Sequence, residues 1–181
     1  MAEIGGYPRR VREMGWDGVA RLWAAVRAGE TPGWAAGRAF EHLVLRAFEL
    51  DGAAVRWPFE VYLDGRIVEQ IDGAVYAAGL SCLIEAKDTA EPLQVDAIAK
   101  LRSQLSRRPA GVLGLLFSRS GFTRPATTLA RYLTPQNVLL WTGEDLEVAL
   151  ERRAMVDPLA AKYRRCVEEA VPHYAIRQVG P

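Results

Sequence analysis

In the stretch QIDGAVYAAGLSCLIEAKD, residues 70–88, Asp72 ends one apolar run, and Glu85 and Lys87 end the next. Side chains at i and i+2 of an extended chain share a face, so Glu85 and Lys87 project together, with Cα atoms roughly 7 Å apart. Ala86 points the other way. A turn near Ala78-Gly79 would put Asp72 on the neighbouring strand, close to Glu85. Two facing carboxylates repel and raise each other's pKa unless a cation lies between them. Oxygen-only ligation suits Mg2+ or Mn2+, which keep several waters and take one or two carboxylates plus a substrate phosphate. An ammonium beside ion-bound water can orient or deprotonate it, and can offset charge on a phosphorane-like transition state. The chemistry implied is hydrolysis of a phosphodiester.

A fourth charge belongs to the same argument. In the helical pattern GRAFEHLVLRAFEL, Glu41 has Val44, Leu45 and Phe48 at i+3, i+4 and i+7, so it sits on the apolar side and wants a partner. His42 has Arg38 and Arg46 at i−4 and i+4, residues that normally face water, and is expected to be exposed.

The elements that must hold these groups can be read around them. RRVREMGWDGVARLWAAVRAG has Met14, Val19, Leu22, Trp23 and Val26 at helical spacing and ends on Gly29, so it reads as one added N-terminal helix. A second helix should start at Thr31-Pro32, carry Phe40, Leu43, Val44, Ala47 and Phe48 inward, and stop at Asp51-Gly52. From Ala53 the period becomes that of strands: AAVRWPFEVYL, RIVEQIDGAVYA and LSCLIEAKD, with turns at Asp64-Gly65 and Ala78-Gly79, predict three consecutive antiparallel strands. EPLQVDAIAKLRSQLSRR is an amphipathic helix with a basic end, AGVLGLLFS a strand buried on both faces, TRPATTLARYL a capped helix and NVLLW a short buried strand. GEDLEVALERRA and DPLAAKYRRCVEEAV close the chain as helices. The expected order is α, α, β, β, β, α, β, α, β, α, α.

Composition narrows the class. The chain has 181 residues, half of them hydrophobic, which predicts one globular domain with a substantial core. Lys and Arg total 23 against 22 Asp and Glu, so net charge does not announce a nucleic-acid or membrane-surface binder, though a local basic patch remains possible. The opening MAEIGGYPRRVREMGW lacks a secretory h-region and no stretch reaches the length of a membrane span, which predicts a cytoplasmic protein with no membrane partner. Cys82 and Cys166 have neither metal spacing nor a disulfide framework and read as reduced packing residues. Trp16, Trp23, Trp34, Trp57 and Trp141 read as core or interface anchors.

A helix with an inward Glu, strands bearing Asp and Glu-x-Lys, and then a helix and a buried strand together resemble the restriction-endonuclease-like superfamily with its PD-(D/E)xK signature. Within it, GRAFEHLVLRAFELDGAAVRW, IDGAVYAAGLSCLIEAKD and LLFSRSGFTRPATTLARYLTPQNVLLWTGEDL look like the catalytic domain of Mrr-type restriction endonucleases. The resemblance spans about residues 35–147. It implies an α/β fold with an αβββαβ core, a mixed central sheet flanked by helices, and extra N- and C-terminal helices over 1–33 and 150–181.

By position, the resemblance makes Asp72 and Glu85 the metal ligands, with the Ala86 carbonyl, Lys87 the catalytic lysine and Glu41 the helix carboxylate near the metal. Glu85 stands where many Mrr-type proteins have Gln, which adds a metal-binding charge. Lys100, Arg102, Arg107 and Arg108 are either a solvated helix face or phosphate contacts, and Gln104 on the same helix is expected to be exposed. Arg119, Ser120 and Thr123 lie at a strand-to-helix turn where phosphate is favoured, and Thr123 also fits a plain helix cap. The implied function is a Mg2+-dependent DNA endonuclease of the restriction type, with Mn2+ able to substitute. It would act as a homodimer or with a specificity partner, since no helix-turn-helix or zinc module is evident. A structure-specific nuclease and a non-catalytic nuclease-fold subunit are the alternatives.

Overall fold

A computed structural model of the protein describes residues 6–176. Its helices are α1 (Gly6–Arg12), α2 (Trp16–Ala28), α3 (Arg38–Leu50), α4 (Val95–Leu105), α5 (Arg124–Tyr132), α6 (Gly143–Glu151) and α7 (Val156–Glu169). Its strands are β1 (Ala54–Arg56), β2 (Phe59–Leu63), β3 (Arg66–Ile71), β4 (Gly73–Ala77), β5 (Leu80–Lys87), β6 (Val112–Ser118) and β7 (Val138–Thr142). Five of them form a mixed sheet in the order β1-β4-β5-β6-β7, and β2 with β3 forms a separate two-stranded sheet. β1, β4 and β5 run antiparallel, and β5, β6 and β7 run parallel. This is a mixed α/β architecture, a central mixed sheet with helices on both faces.

Side-chain alternation divides the core. Cys82, Ile84, Ala86, Leu115 and Phe117 point toward α2, α3, α6 and α7, while Leu83, Leu116 and Leu140 point toward α4 and α5. Trp141 is fully buried, Trp23 nearly so, and Trp16, Trp34 and Trp57 pack against the same cluster, as expected of anchors. Cys82 and Cys166 are free and buried. No helix among the described residues is long and apolar enough to cross a membrane.

Four local expectations change. The first helix is two, because the chain turns at Met14-Gly15 between α1 and α2, where Met14 N–H donates to the Val11 carbonyl. α3 begins at Arg38 and not at Thr31-Pro32, its N-cap being Gly37 at φ 77°, a left-handed conformation that favours glycine. The expected first strand divides at Pro58, which has no N–H for a ladder, and the second divides at Asp72. The three expected strands are therefore five, with the β2–β3 hairpin inserted between β1 and β4. Both turns fall where the sequence placed them: Asp64 and Gly65, and Ala78 and Gly79, have positive φ, as a tight two-residue hairpin loop requires.

Two glycines set the layer spacing on the strands that carry or flank the site. A Cβ on Gly73 would lie 2.5 Å from Leu45 Cδ2, so glycine there lets α3 press onto the start of β4. A Cβ on Gly114 would lie 2.7 Å from Leu101 Cδ2, which lets α4 lie equally close over β6.

Candidate active site

Asp72 occupies the break between β3 and β4, one residue before the last antiparallel pair, Gly73 with Ile84. The next step of that register sets it opposite Glu85. Its Oδ2 accepts from the Ala86 N–H at 3.0 Å, so a carboxylate takes up a backbone donor at the end of the ladder. Glu85 and Lys87 lie on the α4 side of β5, in line with Leu83. Glu41 arrives from the first turn of α3, which packs on the opposite face.

The four residues named from the sequence are thus brought together, and a fifth joins them. Lys87 Nζ pairs with Glu85 Oε1, and Lys100 Nζ from α4 donates to the same oxygen at 2.6 Å. Glu85 is fully buried, and its Oε2 has no hydrogen-bond partner. Glu41 pairs with Arg38 at 2.6 Å, an i,i+3 contact on α3. Arg38, Glu41, Asp72, Lys87 and Lys100 line a cavity of about 390 Å³. Its remaining wall is the segment Pro58, Phe59 and Glu60 with Gln70 and Ile71, from the base of the hairpin.

The electrostatics follow from crowding carboxylates in a poorly solvated place. Glu41 is pushed up to about 7, first by burial and then by the Asp72 charge, with Arg38 and Lys87 opposing. Asp72 is raised by burial and by Glu85, against the pull of the Ala86 N–H, Lys87 and Lys100. Burial pulls Lys87 down, but the hydrogen bond and charge of Glu85, with Asp72 and Glu41, carry it above its ordinary value. Among the described residues no three Asp, Glu, His or Cys side chains converge as a ready-made metal cage. The donor set is instead two facing carboxylates with one orphaned oxygen, which fits a hard cation that keeps most of its waters.

The other basic residues are dispersed. Arg107 and Arg108 both pair with Glu69 of β3, Arg102 donates to the Thr134 carbonyl at 2.7 Å, and Arg119 pairs with Asp88. Thr123 caps α5, its hydroxyl accepting from Ala126 N–H at 3.4 Å. Ser120 donates to the Glu91 carbonyl.

Two side chains expected to be exposed are buried. His42 is 3% exposed because Trp34 and Trp57 flank its ring at 5.8 and 5.7 Å. Its two arginine neighbours are engaged with protein: Arg38 with Glu41, Arg46 with the Met14 carbonyl and Glu49. Its Nδ1 lies 2.8 Å from the Arg38 carbonyl, which can only accept, so that nitrogen carries the proton. Gln104 is 5% exposed, because β3 covers it and its Nε2 donates to the Gln70 carbonyl. Sequence reasoning missed Arg38, whose i−3 spacing to an inward glutamate was an available signal. It also left Lys100 as either a solvated helix residue or a phosphate contact, and not as a partner of Glu85, which depends on how closely α4 approaches the sheet.

No curated protein matches the chain. Among solved structures it is similar to the MspJI restriction endonuclease in complex with a 27-mer oligonucleotide, at 17% sequence identity and a TM-score of 0.46. The likeness covers 96% of this chain and 40% of the other, so this chain spans well under half the length of that endonuclease. A family model described as restriction endonuclease, that of the Mrr catalytic domain, matches residues 35–150, from the loop before α3 to the end of α6. With more than half of its residues inside that match, the chain belongs to the restriction endonuclease family of the Mrr catalytic type.

Proposed function

We propose that this chain is a metal-dependent DNA endonuclease that hydrolyses phosphodiester bonds, of the restriction type. The observation that carries the reading is Glu85: a fully buried carboxylate with one unpartnered oxygen, facing a second carboxylate, Asp72, whose pKa is raised by burial and then by that proximity. A buried acceptor left unsatisfied costs free energy, and a cation supplied from outside removes the cost. Asp72, Glu85 and the Ala86 carbonyl would hold a divalent ion, Mg2+ with Mn2+ as a substitute, which supplies a Lewis acid and an activated water when bound.

The chain's own groups do the rest. Lys87, held by Glu85, presents an ammonium to the cavity, where it orients water and offsets charge building on the phosphate oxygens. Glu41, tethered by Arg38, borders the same cavity and supports the outer coordination. Arg102, Arg107, Arg108, Arg119 and Thr123 are the candidate contacts that seat the DNA backbone, although Arg107, Arg108 and Arg119 must share themselves with Glu69 and Asp88. One site per chain cuts one strand, so cutting a duplex would use a homodimer, and sequence choice would come from that dimer, a partner protein or DNA shape. Residues 1–181 would act as a single nuclease-like domain built on the 35–147 core.

The test is incubation of supercoiled, linear, single-stranded and branched DNA with Mg2+, Mn2+ or a chelator, using wild type, Asp72→Ala and Lys87→Ala. Ion-dependent cutting that both substitutions abolish is expected. If wild type cuts no substrate with either ion, the reading fails in favour of a binding subunit.

A further inference from the structure

Lys100 is the site residue that the chemistry above leaves unused. It reaches Glu85 from α4, and its Nζ shares Oε1 with the Lys87 ammonium while Oε2 of the same carboxylate has no partner. Two ammoniums on one oxygen repel, and one would neutralise the carboxylate, so both are not needed to balance Glu85 by itself. With all three carboxylates ionised, the count balances over the whole site: Glu41, Asp72 and Glu85 against Arg38, Lys87 and Lys100. A divalent cation adds two positive charges to that balanced set. The Lys100 side chain is 51% exposed against 33% for Lys87, and it lines the cavity on a flexible four-carbon stem. Its ammonium can therefore swing toward the cavity while Lys87 stays on the same Glu85 oxygen.

We propose that Lys100 is an exchangeable counter-ion of Glu85: it competes with the divalent cation for that carboxylate in the ion-free protein, and moves to the phosphodiester in the cavity when the cation binds. The proposal rests on the metal-dependent phosphodiester reading above. It makes one residue act in two directions, since the competition weakens ion binding while the released ammonium adds a phosphate contact. A residue that merely braced the site would, on removal, weaken ion binding and cleavage together. A residue that merely touched DNA would leave ion affinity unchanged.

The experiment measures Mn2+ affinity, from the electron paramagnetic resonance signal of the free ion with Mn2+ alone, and kcat/KM for DNA at saturating Mn2+. The full-length wild type, Lys100→Met, Lys100→Gln and Lys100→Arg are compared. Lys100→Met and Lys100→Gln should bind Mn2+ about fivefold tighter and yet cleave about tenfold less efficiently, with Lys100→Arg close to wild type on both counts. Unchanged or weaker Mn2+ affinity in the neutral variants overturns the exchange while wild-type binding leaves the metal-dependent reading standing. A wild type that binds no Mn2+ removes both. Should Lys100→Met fail to fold, Lys100→Gln decides alone.

Discussion

Two of the places where the described residues bury charge are built on opposite plans. Between α6, α7 and β7, Lys162 is fully buried, and its ammonium donates to Asp145 Oδ2, to the Leu140 carbonyl and to the Tyr174 carbonyl, so all three protons are used. Asp145 is likewise spent, accepting from Thr142 N–H in a capping box and from Ile176 N–H. One charge meets one charge and nothing is left over. At the end of β5 Asp72 faces Glu85 and Glu41 borders the same cavity, Glu85 Oε2 has no partner, and Asp72 and Glu41 are held above their ordinary range. A closed network fixes architecture, whereas an open one has room for a cation and substrate.

The largest effect that could break this contrast is at the closed network. Lys162→Met leaves Asp145 buried without its counter-charge, and removing one partner of a buried pair costs about 3–5 kcal/mol. Urea unfolding should show that loss, and it should be the same with and without Mg2+ when compared with wild type under the same condition. A loss below about 1 kcal/mol would mean that the pair is not the clamp described, since that is the range of exposed pairs.

At the open network the matching substitution should act through the ion. Wild type at a Mg2+ concentration about 100 times its Kd should gain about 2.7 kcal/mol of stability, and Asp72→Asn should lose most of that gain. In the chelated state Asp72→Asn should be as stable as wild type or more so, because it removes one of the repelling carboxylates. Destabilisation of the chelated protein comparable to that of Lys162→Met would erase the distinction between the two regions.

How far the two regions could be read from the sequence also differs. Asp72, Glu85 and Lys87 were legible because strand periodicity and a hairpin turn suffice to bring them together, and Glu41 because helix spacing turned it inward. Lys162 was not, since it sits among charged residues in AAKYRRC and only the return of the 172–176 segment over β7, with Pro172 bonded to Leu140, buries it. The same limit explains His42 and Gln104: each is enclosed by segments distant in sequence, Trp57 and Gln70 respectively. The hairpin insertion was hidden for a related reason, because Pro58 and Asp72 interrupt runs whose residue types are those of continuous strands.

The pH dependence gives a smaller effect whose sign separates the regions. Glu41 has a folded value of about 7 against an ordinary 4.5, so the folded state binds that proton more tightly than the unfolded chain does. Its stabilising contribution is complete below about 4.5 and is lost as pH rises toward 7, and Asp72 acts in the same direction. Chelated protein should therefore lose stability across that window, and Glu41→Gln should flatten the loss. Saturating Mg2+ should oppose it, because binding needs the carboxylates deprotonated. A chelated protein whose melting temperature climbed from pH 5 to 7, in wild type more than in Glu41→Gln, would contradict the geometry.

The smallest effect comes from a third place, around Glu69, that lies between the two plans. Glu69 on β3 is 8% exposed and holds both Arg107 and Arg108, so it is closed like Asp145, but its partners reach in from the surface. Burial pushes Glu69 up, and the hydrogen bonds and charges of Arg108 and Arg107 more than reverse that, leaving it below the ordinary range. Its contribution therefore has the opposite sign to that of Glu41: present above pH 4.5 and lost as pH falls through the depressed folded value. Arg107 is 51% exposed and Arg108 17%, so solvent screens the first pair more than the second. Arg107→Ala should cost about 0.5 kcal/mol and Arg108→Ala about 1 kcal/mol, and together they should cost more than the sum, because only the double variant leaves Glu69 without a cation. A double-mutant cycle by urea unfolding measures that excess. Strict additivity would show that Glu69 is satisfied by water, and that closure of a network around a carboxylate matters only where, as at Lys162, solvent is shut out.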